Sequence, residues 1–241
     1  MSSFSALARS HEPELMDDDS TDYETFRGCL VDLARVNRLS FGYRPTIAFL
    51  ERLRRGGRFS LGRPVVIVDV GSGYGDALRA VAAWAERVGA PVSLLGLDRN
   101  PWAERAARGA TPHSAPLEYC TMDLFDFEPV GPVDVVLSAL FTHHLTDAEL
   151  TRFLRWMEKT AQIGWFVNDL HRSRLAFHGF QAASWALRMH RFVRHDGPVS
   201  FARSFRREDW RQALAAADIP EGAATLLGGA PFRLCVSRVK T

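Results

Sequence analysis

The chain has 241 residues, 46% of them apolar, and a formal net charge of +2; that length and apolar share fit one domain with a sizeable core and some extra cover. Near-balanced charge argues against a dedicated nucleic-acid binder, no apolar run is long enough to cross a bilayer, and no basic start followed by an apolar segment marks an export signal. Cys29, Cys120 and Cys235 are scattered and lack C-x-x-C spacing, so neither a disulfide framework nor a zinc site is expected, and the cytoplasm is the default location.

Residues 1–22 are polar, with Asp17, Asp18 and Asp19 in a row, and read as a disordered tail. Over 23–53 apolar residues recur at helical spacing, through Phe26, Leu30, Leu33 and Val36 and then Ile47, Leu50 and Leu53. Gly42 and Pro45 divide this run into two helices joined across 37–44. Arg54, Arg55 and Arg58 flank two glycines in a basic loop that reads as a solvated turn.

The stretch 65–76, V-V-I-V-D-V-G-S-G-Y-G-D, organises the rest. Its mostly β-branched start reads as a strand buried on both faces. Gly71, Gly73 and Gly75 follow at alternate positions, and 77–88 reads as a helix. Such glycines let the backbone turn sharply and come close to a ligand, and the helix start supplies free N–H groups. A dinucleotide site wants G-x-G-x-x-G, so that its pyrophosphate lies on the helix N-terminus. The G-x-G-x-G here is one residue tighter, and Asp69 and Asp76 add two carboxylates that repel a pyrophosphate and suit a cationic ligand.

At this point the chain resembles the class I methyltransferases that use S-adenosylmethionine: Asp69-Val70-Gly71-Ser72-Gly73-Tyr74-Gly75 is similar to their first motif. The resemblance implies S-adenosylmethionine as cofactor, held by Asp69, Gly71, Ser72, Gly73 and Gly75, with N-terminal helices over 23–58 covering the cofactor mouth. It brings Arg38 or Arg44 within reach of the cofactor carboxylate; each of these also reads, taken singly, as a solvated arginine. A second strand over 92–97 ends in Asp98, near the spacing at which an acid binds ribose hydroxyls in nucleotide folds. A carboxylate accepts from both hydroxyls at once, and Asn100 can cap the helix starting near Pro101, which frees Asp98 for the ribose. A third strand over 117–122 leads to Asp123 and Leu124. In the family an acid here accepts from the adenine amino group; Asp123 and Asp126 both qualify, and Asp123 is nearer the strand end. Arg99, Leu124 and Ser138 complete the cofactor set that the resemblance implies.

A fourth strand over 133–140 runs into Phe141-Thr142-His143-His144-Leu145, and Thr146 or Asp147 caps the following helix. Ligands of open α/β sheets bind outside the carboxyl ends of the strands, so both histidines fall where a methyl acceptor should lie. The segment resembles the fourth motif of small-molecule methyltransferases of the quinone- and phenol-methylating type. On an extended backbone neighbouring side chains face opposite ways, so one histidine is expected at the acceptor and the other in the interior. A fifth strand over 163–170 ends in Asn168-Asp169, with His171 next, a histidine that Asp169 can orient. A phenol of pKa about 10 needs a base near neutral pH, and histidine is the natural one. His143 is the first candidate and His171 the second, and His144 is kept beside them. No metal is expected, because Asn168 and Asp169 find no second acid at the fourth strand end.

An insertion over 171–205 contains an aromatic-rich helical stretch, 175–193, suited to roofing a flat apolar acceptor or to a dimer face. A helix over 204–216 and strands over 223–229 and 232–239, joined through Gly228-Gly229-Ala230-Pro231, end the chain as an antiparallel hairpin. The expected fold class is α/β: a doubly wound, mostly parallel seven-stranded sheet (Rossmann-like) with N-terminal helices and a helical lid after strand five, 23–241 forming one methyltransferase domain. The resemblance implies methyl transfer from S-adenosylmethionine to an oxygen or carbon of a small aromatic, phenolic or quinone-like metabolite. The expected partners are that small molecule and a second copy in a homodimer, without nucleic acid or stable membrane insertion; no N/D-P-P-Y/F motif of nucleic-acid N-methylation is present. Two other classes stay open: a non-catalytic S-adenosylmethionine-binding protein, indifferent to the histidines, and an NAD(P)-dependent oxidoreductase, which would need the looser glycine spacing.

Overall fold

Strand β1 (Val65–Val70) lies at the middle of a seven-stranded sheet of order β3-β2-β1-β4-β5-β7-β6. The computed structural model describes residues 4–5, 8–17, 21–60, 62–229 and 232–240; part of the N-terminal stretch and Ala230-Pro231 of the last turn lie outside them. Strands β1, β2 (Val92–Asp98), β3 (Leu117–Thr121), β4 (Val133–Ala139) and β5 (Ala161–Leu170) pair in parallel. Strand β7 (Arg233–Val239) runs antiparallel between β5 and β6 (Ala224–Gly229), which is the mostly parallel sheet and closing hairpin expected from the sequence. Chain direction across the sheet reverses between β1 and β4, and in such sheets the crevice at that reversal takes the ligand.

The helices start where the sequence supplies caps. Asp22 accepts from the Thr25 N–H at 3.0 Å to open α1 (Tyr23–Leu39), and Pro45 sits in the first turn of α2 (Arg44–Arg55). Helix α3 (Asp76–Val88) follows the glycine loop, and Asn100 accepts from the Trp102 N–H to open α4 (Pro101–Gly109), as expected. Thr146 and Glu149 form a capping box on α5 (Asp147–Thr160). The helical stretch expected at 175–193 is instead two helices, α6 (Arg174–Ala186) and α7 (Arg191–Arg203). The chain turns between them, with Arg188 at φ +49° and the His190 ring accepting from the Phe192 N–H. Helix α8 (Arg207–Ala216) starts later than 204, because Ser204 caps the end of α7 and gives its hydroxyl to Ser200 O.

Two apolar layers flank the sheet. One holds Phe153, Trp165, Trp210 and Val236 with α5 and α8; the other holds Phe49, Leu50, Ile67, Leu78 and Phe166 with α2 and α3. Helix α2 is therefore part of the core, with Phe49 stacked on Phe166 of β5 at 4.9 Å between ring centroids.

The stretch read as a disordered tail is the clearest departure. Residues 8–17 run against α7 and the segment after β4, with a 3₁₀ turn at Leu15–Asp17. The Leu15 and Met16 N–H groups donate to Asp196, and Arg9 donates to Leu145 O, Arg203 O and Asp147. A polar composition gives no periodic signal for such a strap, whose order comes from hydrogen bonds to distant elements. Because α2 carries core residues, Phe49→Ala should cost about 3–5 kcal/mol, read as a lower urea midpoint at unchanged slope.

Candidate functional site

The glycine loop closes over the ends of β1 and β2 through backbone bonds: the N–H groups of Gly71 and Ser72 both donate to Leu97 O, at 2.9 and 3.0 Å. Gly71 and Gly75 both have φ +70°, and a Cβ would strike Phe141 at Gly71 and Tyr119 at Gly75. These positions need glycine on both counts. Asp98 holds the loop from β2, accepting from Gly73 N–H at 2.9 Å and Asn100 N–H at 3.0 Å. Burial pushes its carboxyl up, against those two hydrogen bonds.

Asp69, at the end of β1, is 2% exposed, and its Oδ1 has no hydrogen-bond partner among the described residues. Burial, with smaller contributions from Asp76 and Asp98, pushes its carboxyl up to about 7. It faces a cleft lined also by Asn37, Gly42, Tyr43, Gly71, Ser72, Asp76, Ala139, Leu140, Asn168 and Arg233. Asp76, the first residue of α3, accepts from the Tyr43 hydroxyl at 2.6 Å and from Asn37 Nδ2 at 3.4 Å. Burial, and then the Asp76 charge and that bond, raise the Tyr43 hydroxyl beyond the usual tyrosine range.

Arg233 is 6% exposed and borders the same cleft. Its Nη2 donates to Asn37 Oδ1 at 2.9 Å, and no carboxylate pairs with it among the described residues. Burial pulls its pKa down, against the attraction of Asp169 and other neighbouring groups. The cleft thus sets a buried, partner-seeking carboxylate and a buried, partner-seeking guanidinium into one wall. That pairing suits a zwitterionic amino-acid group, its ammonium at the acids and its carboxylate at the arginine.

The expected base candidates separate. Thr142–His144 forms a 3₁₀ turn, not extended backbone, so His143 and His144 do not face opposite ways; their rings pack 4.3 Å apart at 36°. Asp169, expected to orient His171, instead takes Thr142 Oγ1 at 2.5 Å, His143 N–H at 3.0 Å and His143 Nδ1 at 2.7 Å. Burial alone would raise the Asp169 carboxyl, but the His143 charge and these bonds outweigh it and hold it well below the usual carboxylate range. His171 lies among Arg172, Arg206 and Arg207, and burial and those charges lower its pKa. Its own N–H donates to Phe232 O.

The other expected residues fall as follows. Arg38 is exposed, and Arg44 stacks on Phe41 at 3.9 Å, so the buried arginine at the cleft is Arg233 in their place. Ser138 is buried within the sheet and donates to Val70 O at 3.1 Å; its one hydrogen serves the fold. Asp123 is exposed and accepts from Phe125 N–H, Leu124 belongs to the core, and Arg99 is exposed beside Asp98 and Glu149. Asn168 donates to Gly42 O at 2.7 Å, which ties the α1–α2 turn to the end of β5. The donor atoms of Glu14, His143 and His144 lie within 4.8 Å of one another. Glu14, Tyr43, Asn37 and Arg233 were missed as site residues; only the polar break between the first two helices hinted at any of them.

Residues 67–164 match the family model described as a methyltransferase domain. No curated protein matches the chain. Among solved structures, the fold is similar to that of the plantazolicin methyltransferase BpumL in complex with a monoazolic desmethylPZN analog and SAH. That pair shares 12% identity and a TM-score of 0.59 over 88% of this chain and 89% of the other. Magnesium protoporphyrin IX methyltransferase (ChlM) from Synechocystis PCC 6803 with bound SAH gives 12% identity and a TM-score of 0.56 over 94% and 91%. The CMeT domain of the citrinin polyketide synthase gives 12% and 0.55 over 74% and 47%. At such identities the likeness speaks for the fold.

The raised Asp69 carboxyl has a thermodynamic consequence. The folded chain holds that proton more tightly than the unfolded chain, so its contribution to stability is full below about pH 4 and is lost as pH rises through about 7. The difference in unfolding free energy between wild type and Asp69→Asn should therefore shift by on the order of 4 kcal/mol across that window, against the wild type at higher pH. Urea titrations of both proteins from pH 4 to pH 8 check this.

Proposed function

We propose that this S-adenosylmethionine-dependent methyltransferase methylates an oxygen, or a carbon activated by one, on a small aromatic, phenolic or quinone-like metabolite, with His143 as general base. The observation that carries the reading is the buried pair of Asp169, near the end of β5, and His143, just after β4, on the same sheet edge as the glycine loop. The Asp69 Oδ1, orphaned among the described residues, and Arg233, which pairs there with no carboxylate, fit the cofactor's amino-acid end, and Asp98 keeps lone pairs for ribose hydroxyls. When bound, S-adenosylmethionine supplies a methyl group already activated on a sulfonium.

The protein's remaining tasks are alignment and proton removal. Asp169 is ionised and accepts from His143 Nδ1, so the proton of a neutral imidazole resides on Nδ1 and Nε2 presents a lone pair. Nε2 takes the acceptor's hydroxyl proton, and the imidazolium that results lies against the Asp169 carboxylate. His143 is 3% exposed, so bulk water does not compete for that proton. Phe177, Phe180 and Phe201, from α6 and α7, supply apolar surface of the kind a flat ring packs against.

His143→Ala should lower kcat at pH 7.5 by about 10²–10⁴-fold while calorimetry with S-adenosylmethionine stays unchanged. The deficit should shrink toward pH 10, where a phenol ionises unaided. An unaltered kcat would remove His143 as the base. Arg233→Ala should weaken S-adenosylmethionine binding roughly 10- to 100-fold, the scale of a lost hydrogen bond to a charged group; Arg38→Ala should leave it unchanged in the same titration.

A further inference from the structure

We propose that Glu14, His143 and His144 form a binding site for a single borderline divalent metal ion such as Zn²⁺. The ends of β4 and β5 offer no second acid for a metal; the acid here comes from the N-terminal strap, beside its 3₁₀ turn.

Three observations converge. First, the Thr142–His144 turn packs the two imidazoles 4.3 Å apart at 36° and brings both Nε2 atoms to one carboxylate. His143 Nε2 lies 3.7 Å from Glu14 Oε1, and His144 Nε2 lies 3.9 Å from Glu14 Oε2. One donor atom from each residue lies within 4.8 Å of the other two. Around a tetrahedral Zn²⁺ with bonds of about 2.0–2.2 Å, neighbouring donors stand roughly 3.3–3.5 Å apart. The two measured pairs are slightly wider, so small side-chain turns close them on an ion. Second, the far side of His143 is built as a metal ligand's is. Its Nδ1 lies 2.7 Å from Asp169 Oδ1, and such a carboxylate on the other ring nitrogen orients metal-binding histidines. Third, Glu14 is 7% exposed and held from behind: Ser200 Oγ donates to Oε1 at 2.8 Å, and the neighbouring Leu15 and Met16 N–H groups donate to Asp196.

Two imidazoles and one carboxylate suit Zn²⁺, Co²⁺ or Ni²⁺ rather than Mg²⁺ or Ca²⁺. Three protein ligands leave a fourth position open. Arg203 works against the ion, since its Nη1 stands 3.9 Å from Oε1. The same guanidinium donates to the carbonyls of Glu12, His143 and His144, and so anchors the backbone on both sides of the site. Its charge lowers the affinity, which is expected to be micromolar. A metal on Nε2 takes the lone pair that the methyl-transfer reading gives to the base, so occupation of the site and proton removal by His143 exclude each other. The site itself does not depend on that reading.

The test titrates wild type, stripped with EDTA and dialysed, with ZnCl₂ and CoCl₂. Calorimetry should show one equivalent of Zn²⁺ bound, Co²⁺ should develop the visible bands of a low-symmetry site, and Mg²⁺ should compete with neither. X-ray absorption at the zinc edge should count two imidazoles and no sulfur. Glu14→Gln and His144→Ala should each weaken Zn²⁺ binding by at least about 10-fold, and Asp169→Asn by about 10- to 100-fold, while His171→Ala leaves it unchanged. No binding, equal competition by Mg²⁺, sulfur or fewer than two imidazoles at the ion, or full binding in Glu14→Gln overturns the proposal. The wild-type X-ray absorption decides even where the variants fail to fold. With a phenol that wild type methylates, Zn²⁺ should abolish turnover and EDTA restore it; turnover that Zn²⁺ raises defeats His143 as the base while the site stands.

Discussion

A charged carboxylate sealed beneath the surface must be met by donors, and the site of this protein is arranged around that requirement at Asp169. Strands β4 and β5 are parallel neighbours in a register that sets Ala139 beside Asn168, so the segment leaving β4 passes directly over Asp169. Thr142 and His143 tighten into a 3₁₀ turn there, and the turn gives the carboxylate a hydroxyl, a backbone N–H and an imidazole N–H. The orientation of His143 is thus a by-product of satisfying Asp169. Removing the acid would release the tautomer and the turn together, since the same oxygens hold both.

The second electrostatic centre is the reverse case, charges deliberately left short of partners. Among the described residues Asp69 keeps an unpaired Oδ1 at the end of β1, and Arg233, at the start of β7, pairs with no carboxylate. Tyr43 and Asn37, from the turn between α1 and α2, neutralise part of the acidic pressure by binding Asp76. Asn168 fixes that turn through Gly42 O. The N-terminal helices, the sheet and the last hairpin therefore all contribute to one wall. The wall's charge balance is thus left open to a ligand that brings both an ammonium and a carboxylate, and binding of such a ligand would be coupled to the stability of the whole edge.

What could be read from the amino-acid order was what depends on neighbours in sequence. The β-branched runs, the glycines after β1, the caps at Asn100 and Thr146 and the antiparallel close all carry local signals, and the strand order follows from few choices once a doubly wound sheet is assumed. The pairing of Asp169 could not be read the same way. His171 is two positions away and was the natural partner by proximity in sequence. His143 wins because β4 and β5 adjoin in space, and the arginines around His171 make that ring a poor proton acceptor. Arg233 looked like one basic residue among 30, and only the antiparallel insertion of β7 beside β5 brings it to the cleft.

The strap at 8–17 shows the same limit most sharply, and it also explains how the Thr142–His144 turn is held from above. Arg9 lies 3.6 Å from the Phe205 ring centroid and donates to Leu145 O and Arg203 O, while Arg203 in turn donates to the carbonyls of His143 and His144. Two arginines, one from the strap and one from α7, thus occupy the carbonyl side of the turn whose N–H side is held by Asp169. A turn pinned on both faces cannot slide without breaking charge-assisted bonds. Strap, α7 and the Thr142–His144 turn consequently form one mechanical unit. Lifting the strap from Asp196 on α7 would therefore also loosen the support of His143.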